Sequence, residues 1–201
     1  MNKVTKTLII AFIIFISYDC TAQHGFFSKL YFPTDLGMNI PIKNKRLESG
    51  ILISSGLEYR FKVEHGIFLR FNYDNLTNSY SIAINGVTNA QKSKLNSNLF
   101  LLGMGYRFGS AKFQYHVLLQ IGYKESEYPK VREIAPGYFE VSYSKLNSLA
   151  AKVGLGLEYY IIHDFAITLE PQYLYMLKHS SFWKTGYQNL GLKLGFSTLL
   201  F

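Results

Sequence analysis

The sequence predicts an all-β fold, an eight-stranded antiparallel up-and-down transmembrane β-barrel with short periplasmic turns and longer extracellular loops. Three observations predict it. Eight segments alternate apolar residues with small or polar ones, the connections between them alternate between short and long, and the composition is 16% aromatic but only 17% charged. Strands of membrane barrels carry their apolar signal in this two-residue alternation. The 201 residues are enough for one domain.

The N-terminus has the pattern of a secretory signal peptide over residues 1–22, which leaves residues 23–201 as the barrel domain. A basic start precedes an almost wholly apolar run, Thr7–Ser17. This run is too short for a spanning helix, which needs about 20 apolar residues. Cleavage after Ala22 would leave a mature chain without cysteine and hence without a disulfide. The alternative is a lipid on Cys20, although the two residues before it are not small.

The net charge is +8, and an exported chain of this sign meets anionic lipid headgroups before any nucleic acid. We therefore expect outer-membrane lipids and lipopolysaccharide as partners, and no nucleic acid. The basic residues near the predicted outer ends could contact lipid phosphates or simply be solvated loop charges: Lys43, Lys45, Arg46, Lys92, Lys94, Lys130, Arg132 and Lys184.

The first four strands follow the alternation in order. The first spans residues 29–40 and the second spans residues 51–61. The third begins at Gly66 and continues past the length that a membrane requires, to the pair Asn85-Gly86. Such a pair between alternating residues predicts a two-residue hairpin turn, from which the fourth strand returns to Phe108.

The last four strands are predicted at residues 112–123, 149–159, 165–177 and 190–198. Between the fifth and sixth, the turn pair Pro136-Gly137 is flanked by β-prone residues, which predicts a hairpin arm. Within the seventh strand, Pro171 cannot donate a ladder hydrogen bond, so we expect a bulge or local distortion there. The eighth strand should pair with the first and close the barrel.

The apolar face is predicted to point outward, to lipid. A soluble barrel with an apolar pocket would also alternate, but the interior of eight strands holds little more than a filling of side chains. The apolar set contains too many large side chains for that space, whereas the opposite set is rich in glycine. Charges at membrane depth face the interior and pair with one another. The predicted lumen charge network is Glu58, Arg60, Arg70, Arg107, Lys152, Glu158, Glu170 and Lys193, with Lys193 seeking one of the three glutamates.

A weak internal repeat ends the second, fourth and sixth strands on Tyr59, Tyr106 and Tyr159. Aromatic residues recurring at one level predict a periplasmic girdle, because amphipathic rings settle at lipid headgroups. The alternative is that tyrosine is simply a good strand residue.

The signal peptide ending in Ala-Gln, the eight alternating strands and the C-terminal Phe201 resemble the small outer-membrane β-barrel proteins of Bacteroidota, and more loosely the OmpA/OmpX type. The resemblance implies a location in the Gram-negative outer membrane and implies that the barrel assembly machinery reads Phe201. We also expect a monomer. Phe201 has the opposite parity from Leu190–Phe196, so the alternation requires a bulge near Ser197–Leu200.

The sequence predicts no catalytic residue, no cofactor site and no metal site. His116 falls on the lumen face and is expected to be a hydrogen-bonded interior residue. His179-Ser180-Ser181 resembles the His and Ser dyad of lipid A deacylase barrels, in which His is the base and Ser the nucleophile. The acidic residue that this family places about a dozen positions later is missing.

Three functional hypotheses follow. The first is a non-enzymatic barrel with a polar, side-chain-plugged lumen and a structural or surface-interaction role. The second is adhesion or binding of an extracellular protein or surface partner through protruding hairpins near residues 80–94 and 125–143, whose strand edges can accept another strand. The third is a lipid A-modifying hydrolase at the outer rim.

Overall fold

The computed structural model describes residues 29–42, 47–62, 65–82, 91–135, 138–176 and 187–200. Several predictions fall outside these residues: the signal peptide with Cys20, the turn pairs Asn85-Gly86 and Pro136-Gly137, the His179-Ser180-Ser181 dyad and Phe201. In the described ranges, no helix has the length and apolar character needed to cross a membrane.

Eight antiparallel strands form a closed barrel in sequence order, which confirms the predicted fold class. They are β1 (Leu30–Ile42), β2 (Leu47–Arg60), β3 (Gly66–Ile82), β4 (Gln91–Gly109), β5 (Phe113–Ala135), β6 (Tyr138–Ile162), β7 (Phe165–Met176) and β8 (Gln188–Leu199). Each strand is hydrogen-bonded to its two neighbours, so the barrel closes without a free edge at the level where all eight strands run side by side.

Closure depends on the first and last strands. β8 pairs with β1 without interruption from the pair Ile42–Gln188 to the pair Tyr31–Leu199. The bulge that we expected near Ser197–Leu200 is therefore wrong as far as Leu199, because every residue there already has a partner on β1. Leu199 consequently falls on the same parity as the inward-facing Ser197.

Pro171 does not introduce a bulge. The β6–β7 ladder pairs Gly154 with Gln172 and then Leu157 with Leu169, which is the same register on both sides of the proline. On its other side, Pro171 stays in register opposite Leu192 of β8. The missing N–H thus interrupts the ladder locally without inserting a residue, so only the predicted local distortion remains.

The connections at one end of the barrel are short. β4 ends on Gly109, whose φ of 139° lies in the region that favours glycine. The N–H of Ser110 then donates to the carbonyl oxygen of Phe113 over 2.7 Å and turns the chain into β5. Only His163 and Asp164 separate β6 from β7.

At the other end, β5 and β6 extend beyond their neighbours as a two-stranded arm. The β4–β5 ladder stops at the pair Asn96–Glu127, and the β6–β7 ladder starts at the pair Ala150–Met176. The β5–β6 ladder continues to the pair Ala135–Tyr138. The hairpin predicted near residues 125–143 is thus present as two paired strands, and the polar stretch after Lys124 belongs to the first of them.

The outward face is a band of exposed apolar side chains bounded by aromatic residues. At the short-turn end, Tyr106, Phe108 and Tyr115 stack in a row with ring centroids 6.5 and 5.8 Å apart. On the next ladder, Phe113 and Tyr159 lie 4.9 Å apart. Two of the three repeated tyrosines, Tyr106 and Tyr159, thus lie in contact with other aromatic residues at this end of the barrel. Leu36, Met38, Ile53, Leu102, Leu119, Ile121, Leu155 and Leu194 are among the exposed residues of the band.

The inward face is divided into two parts, only one of which we predicted. Charged and polar side chains occupy the interior from the short turns to the middle of the barrel. Beyond them, toward the longer connections, lies an apolar cluster of Leu47, Leu52, Leu76, Tyr80, Leu95, Leu99, Leu101, Ala150, Leu174, Met176 and Tyr187. The expectation that large apolar residues all face outward is wrong for this part of the lumen.

Candidate functional site

All eight charged residues predicted for the lumen lie inside the barrel, each with no more than 2% of its surface exposed. Strand alternation places them there, because each has the inward parity of its strand. They come from six of the eight strands: Glu58 and Arg60 of β2, Arg70 of β3, Arg107 of β4, Lys152 and Glu158 of β6, Glu170 of β7 and Lys193 of β8.

Glu58 connects three guanidinium groups. Its carboxylate accepts a 2.6 Å hydrogen bond from Nε of Arg60 and another of 2.6 Å from Nε of Arg70. Arg107 reaches it from β4, also at 2.6 Å. Charge-assisted bonds of this kind are about twice as strong as neutral ones, so this carboxylate ties three strands together.

Glu158 is the second centre. Arg107 contacts it through both terminal nitrogens, with Nη2 2.8 Å from Oε1. The hydroxyl of Tyr160 donates to the same carboxylate over 2.9 Å. Arg60 reaches across the lumen to the Tyr160 hydroxyl and approaches Glu158 to 3.5 Å. The side chains of β2, β4 and β6 therefore meet within the barrel.

Glu170 is the third centre. Arg70 lies 2.8 Å from its Oε2 atom, and Nζ of Lys193 lies 2.9 Å from its Oε1 atom. Of the three glutamates considered for Lys193, the structure thus brings Glu170 to it, and it adds Asp35 at 3.3 Å. His116 lies between two carboxylates, 3.2 Å from both Glu158 and Glu170.

Lys152 pairs with an aspartate instead of a glutamate, because its Nζ donates to Asp74 over 2.7 Å. Asp74 also accepts a 2.6 Å bond from the hydroxyl of Ser54. Asp35 accepts a bond of 2.7 Å from the hydroxyl of Thr168. Neither aspartate was included in the predicted network, although both have the inward parity, which is the signal that identifies them.

Aromatic rings complete the charged part of the interior. The guanidinium carbon of Arg60 lies 3.3 Å from the ring centroid of Tyr31. The ring centroid of Phe68 lies 5.2 Å from the guanidinium carbon of Arg70 and 5.4 Å from the guanidinium carbon of Arg107. Such contacts add attraction to cations that are already paired, and they fill space between the ion pairs.

Ion pairs of the network link opposite walls of the barrel, joining Arg60 to Glu158 and Arg70 to Glu170. In the described parts of the chain, no group of three His, Cys, Asp or Glu side chains is placed to hold a metal ion. A second set of polar side chains lies between the charged network and the longer connections. In it, Asn39 of β1 accepts hydrogen bonds from Asn78 at 2.6 Å and from Asn189 at 3.0 Å.

With this geometry established, the fold can be compared with known structures. The crystal structure of Neisserial surface protein A, NspA, matches with a TM-score of 0.62 at 14% identity, over 86% of this chain and 98% of that one. The chain has the fold of small outer-membrane β-barrels. OprG of Pseudomonas aeruginosa matches with a TM-score of 0.52 at 11% identity, over 84% of this chain and 94% of that one. No protein-family model matches the chain, and no curated protein matches it in sequence.

Proposed function

We propose that the chain is an integral outer-membrane barrel whose lumen is plugged by its own side chains. Its role is structural or one of surface interaction, and it is not an enzyme. The observation that carries the proposal is the contact between opposite walls inside the barrel, with Arg60 of β2 bonded to Tyr160 of β6 and Arg70 of β3 paired with Glu170 of β7. Eight strands enclose an interior about as wide as a filling of side chains.

The outward band supports the membrane location. Single exposed apolar residues are ordinary on a soluble protein, but a continuous apolar surface is not. Lipids of the outer membrane, lipopolysaccharide included, would cover this band, and the aromatic rings would lie at the headgroups. We further propose export by the signal peptide at residues 1–22, recognition of Phe201 by the barrel assembly machinery, a monomeric state and an origin in Bacteroidota.

Conductance measurements test the plugged lumen. The protein refolded in detergent is added to planar lipid bilayers in about 1 M salt. The Debye screening length is then about 3 Å. We expect no steady current above that of the bilayer. Large, steady conductance steps would contradict the proposal, because ion pairs that span the lumen leave no continuous water path.

The β5–β6 arm favours a second candidate function, the binding of a surface partner. Beyond the barrel, its strand edges have no neighbouring strand among the described residues. Ile134, Tyr138 and Tyr143 are more than 60% exposed on it. Exposed aromatic residues are enriched in binding interfaces, and free strand edges accept an added strand.

Deletion of residues 131–141 tests the arm. Cells that display the protein are compared with cells that display the deletion variant for adhesion to a panel of immobilised proteins and glycans. A loss of adhesion on deletion supports the candidate, particularly if a double substitution of Tyr138 and Tyr143 by Ser weakens it as well. Unchanged adhesion after the deletion argues against a partner on this arm.

A further inference from the structure

Among the described residues, the interior of the barrel holds one more lysine or arginine than it holds carboxylates. The buried carboxylates are Asp35, Glu58, Asp74, Glu158 and Glu170, and the buried cations are Arg60, Arg70, Arg107, Lys124, Lys152 and Lys193. Six positive and five negative groups leave 6 − 5 = +1. Every cation except Lys124 lies within 3.5 Å of at least one of these carboxylates. Lys124 is therefore the surplus charge.

Lys124 lies apart from the network. It is only 3% exposed and is paired on β5's two sides with Leu99 and Ser148. The next inward layer toward the network contains Leu101 and Ala150, both members of the apolar cluster. The surplus cation thus sits above an apolar layer, toward the longer connections.

Carboxylates that are near in sequence do not compensate it. Glu125 is partly exposed and Glu127 is exposed. They follow the inward-facing Lys124 by one and three positions, so they have the outward parity of the strand. They pair instead with Lys145 at 3.0 and 3.5 Å. The described part of the chain gives Nζ of Lys124 one contact of note, the ring of Tyr187 with its centroid 4.4 Å away.

A ring face satisfies only part of what an ammonium group requires. Lysine carries three N–H donors, and a buried cation without a counter-charge is costly unless it is paired and hydrogen-bonded. The free energy gained from a cation–π contact is smaller than the free energy lost by burying an unpaired charge. Ionisable residues left inside a membrane protein in this way mark functional sites.

Three buried serines lie at the level of Lys124 or in the next inward-facing layer. Ser148 is the β6 partner of Lys124, and Ser126 lies two residues farther along β5 on the same inward face. Ser126 and Ser97 of β4 lie 3.0 Å apart, oxygen to oxygen, and both are buried. One ammonium group and three hydroxyl groups can together donate to the oxygens of a single anion.

The segments that connect the strands at this end of the barrel carry net positive charge, like Lys124. The segments that link strands at this end, residues 43–46, 83–90, 136–137 and 177–186, contain five lysine or arginine residues and no aspartate or glutamate. Positive charge of this kind raises the local concentration of anions.

We propose that Lys124, assisted by Ser97, Ser126 and Ser148, forms an anion-binding site inside the outer mouth of the barrel, and that its ligand is a phosphate group. The phosphate can be free in solution or belong to the headgroup of a lipid. The proposal does not depend on whether the lumen conducts or on whether the arm binds a partner.

The first arm of the test uses inorganic phosphate. The full-length mature protein is refolded in a non-ionic detergent, and the ³¹P line width of phosphate is followed at constant ionic strength, with chloride as the balancing anion. We expect saturable broadening with the natural protein. Lys124→Met should weaken binding at least tenfold, and Lys124→Arg should retain it. Lys145→Met is the matched control, since it removes one lysine at the same end of the barrel from the outward face.

The second arm identifies a lipid source. Detergent micelles carry either phosphatidic acid or the matching diacylglycerol, and native mass spectrometry counts the lipids retained by the protein. Retention of phosphatidic acid that is lost in Lys124→Met but not in Lys145→Met supports a headgroup phosphate as the ligand. If neither inorganic phosphate nor phosphatidic acid binds in a manner that depends on Lys124, the proposal is overturned. All variants are first checked for folding by their heat-modifiable electrophoretic mobility.

Discussion

At the scale of single residues, the interior of the barrel depends on carboxylates that each serve several cations. Glu58 contacts Arg60, Arg70 and Arg107, and no part of its surface is exposed. Removing one partner of a buried ion pair costs more than the pair contributes, because the other charge is left buried and uncompensated. A single neutralising substitution should therefore lower the free energy of unfolding by more than the net contribution of the ion pair that it removes.

Glu58→Gln should destabilise the protein by about 3–5 kcal/mol, since it leaves three arginines with one carboxylate fewer. The measurement is the unfolding free energy in a guanidinium titration of protein refolded into lipid vesicles. Glu140→Gln, on the exposed arm, is the matched control and should stay within about 0.5 kcal/mol of the natural protein. Equal effects of the two substitutions would show that the network is not a unit.

The pair Lys152–Asp74 allows a cleaner test, because its 2.7 Å contact joins β6 to β3 across the lumen. Lys152→Met and Asp74→Asn should each be destabilising, and the double variant should lose less than the sum of the two. We expect a coupling free energy of roughly 1–3 kcal/mol in a double-mutant cycle of unfolding free energies. Strict additivity would mean that the two side chains do not interact in the membrane.

At the scale of elements, the β4–β5 ladder is shaped by glycine. A Cβ atom added at Gly103 would lie 1.9 Å from the backbone oxygen of Leu119, and one added at Gly122 would lie 1.9 Å from that of Phe100. The backbones approach so closely at these two positions that a residue without a side chain is required. Gly154 differs, because its added Cβ would meet only the side chain of Glu170, at 3.1 Å.

Gly103→Ala should therefore destabilise the barrel by more than about 2 kcal/mol, near the upper part of the range for overpacked sites. Gly154→Ala should cost clearly less, since the end of a side chain can move where a backbone cannot. Unfolding free energies of both variants in vesicles measure the difference. A milder effect at position 103 than at position 154 would contradict this description of the ladder.

The arm should be separable from the barrel. Deletion of residues 131–141 should leave both the unfolding free energy and the heat-modifiable mobility unchanged, because the arm lies beyond the last β4–β5 pair and the first β6–β7 pair. Failure of the deletion variant to fold would show that the arm contributes to barrel formation.

The base of the arm, outside the apolar band, has an ion pair of its own. Lys145 hydrogen-bonds to Glu125, and this bond and the charges of Glu125 and Glu127 raise the pKa of Lys145.

Strand alternation in the sequence predicts which elements form and which charges share the interior, because a two-residue period assigns every residue to a face. It does not predict the pairing along the whole β5–β6 arm, because the hairpin near residues 125–143 is predicted from the turn pair Pro136-Gly137 and the β-prone residues beside it. The stretch from Glu125 to Lys130 contains one hydrophobic residue, Tyr128, so alternation does not predict its pairing with β6. The apolar cluster is missed for another reason, since consecutive apolar residues such as Leu99 and Leu101 beside Phe100 and Leu102 satisfy both faces at once.

At the scale of the whole molecule, the barrel is layered along its axis and reversed in polarity relative to a soluble protein. Its outward face is apolar between two levels of aromatic residues, with Tyr73 and Phe100 5.3 Å apart at the level nearer the long connections. Its interior is charged in one half, and the other half contains the apolar cluster. Each lysine and arginine of the charged half is paired with a carboxylate.

The central claim is that the outward apolar face contacts lipid, and nitroxide labels along β8 test it most directly. Cysteine substitutions at Leu190, Leu192 and Leu194, which are exposed on this strand, are labelled in protein refolded into vesicles, together with Ser142 on the arm as the aqueous reference. We expect high relaxation by oxygen and low relaxation by a water-soluble nickel complex at Leu192 and Leu194, and the reverse at Ser142. Nickel accessibility at Leu192 and Leu194 equal to that at Ser142 would contradict the account.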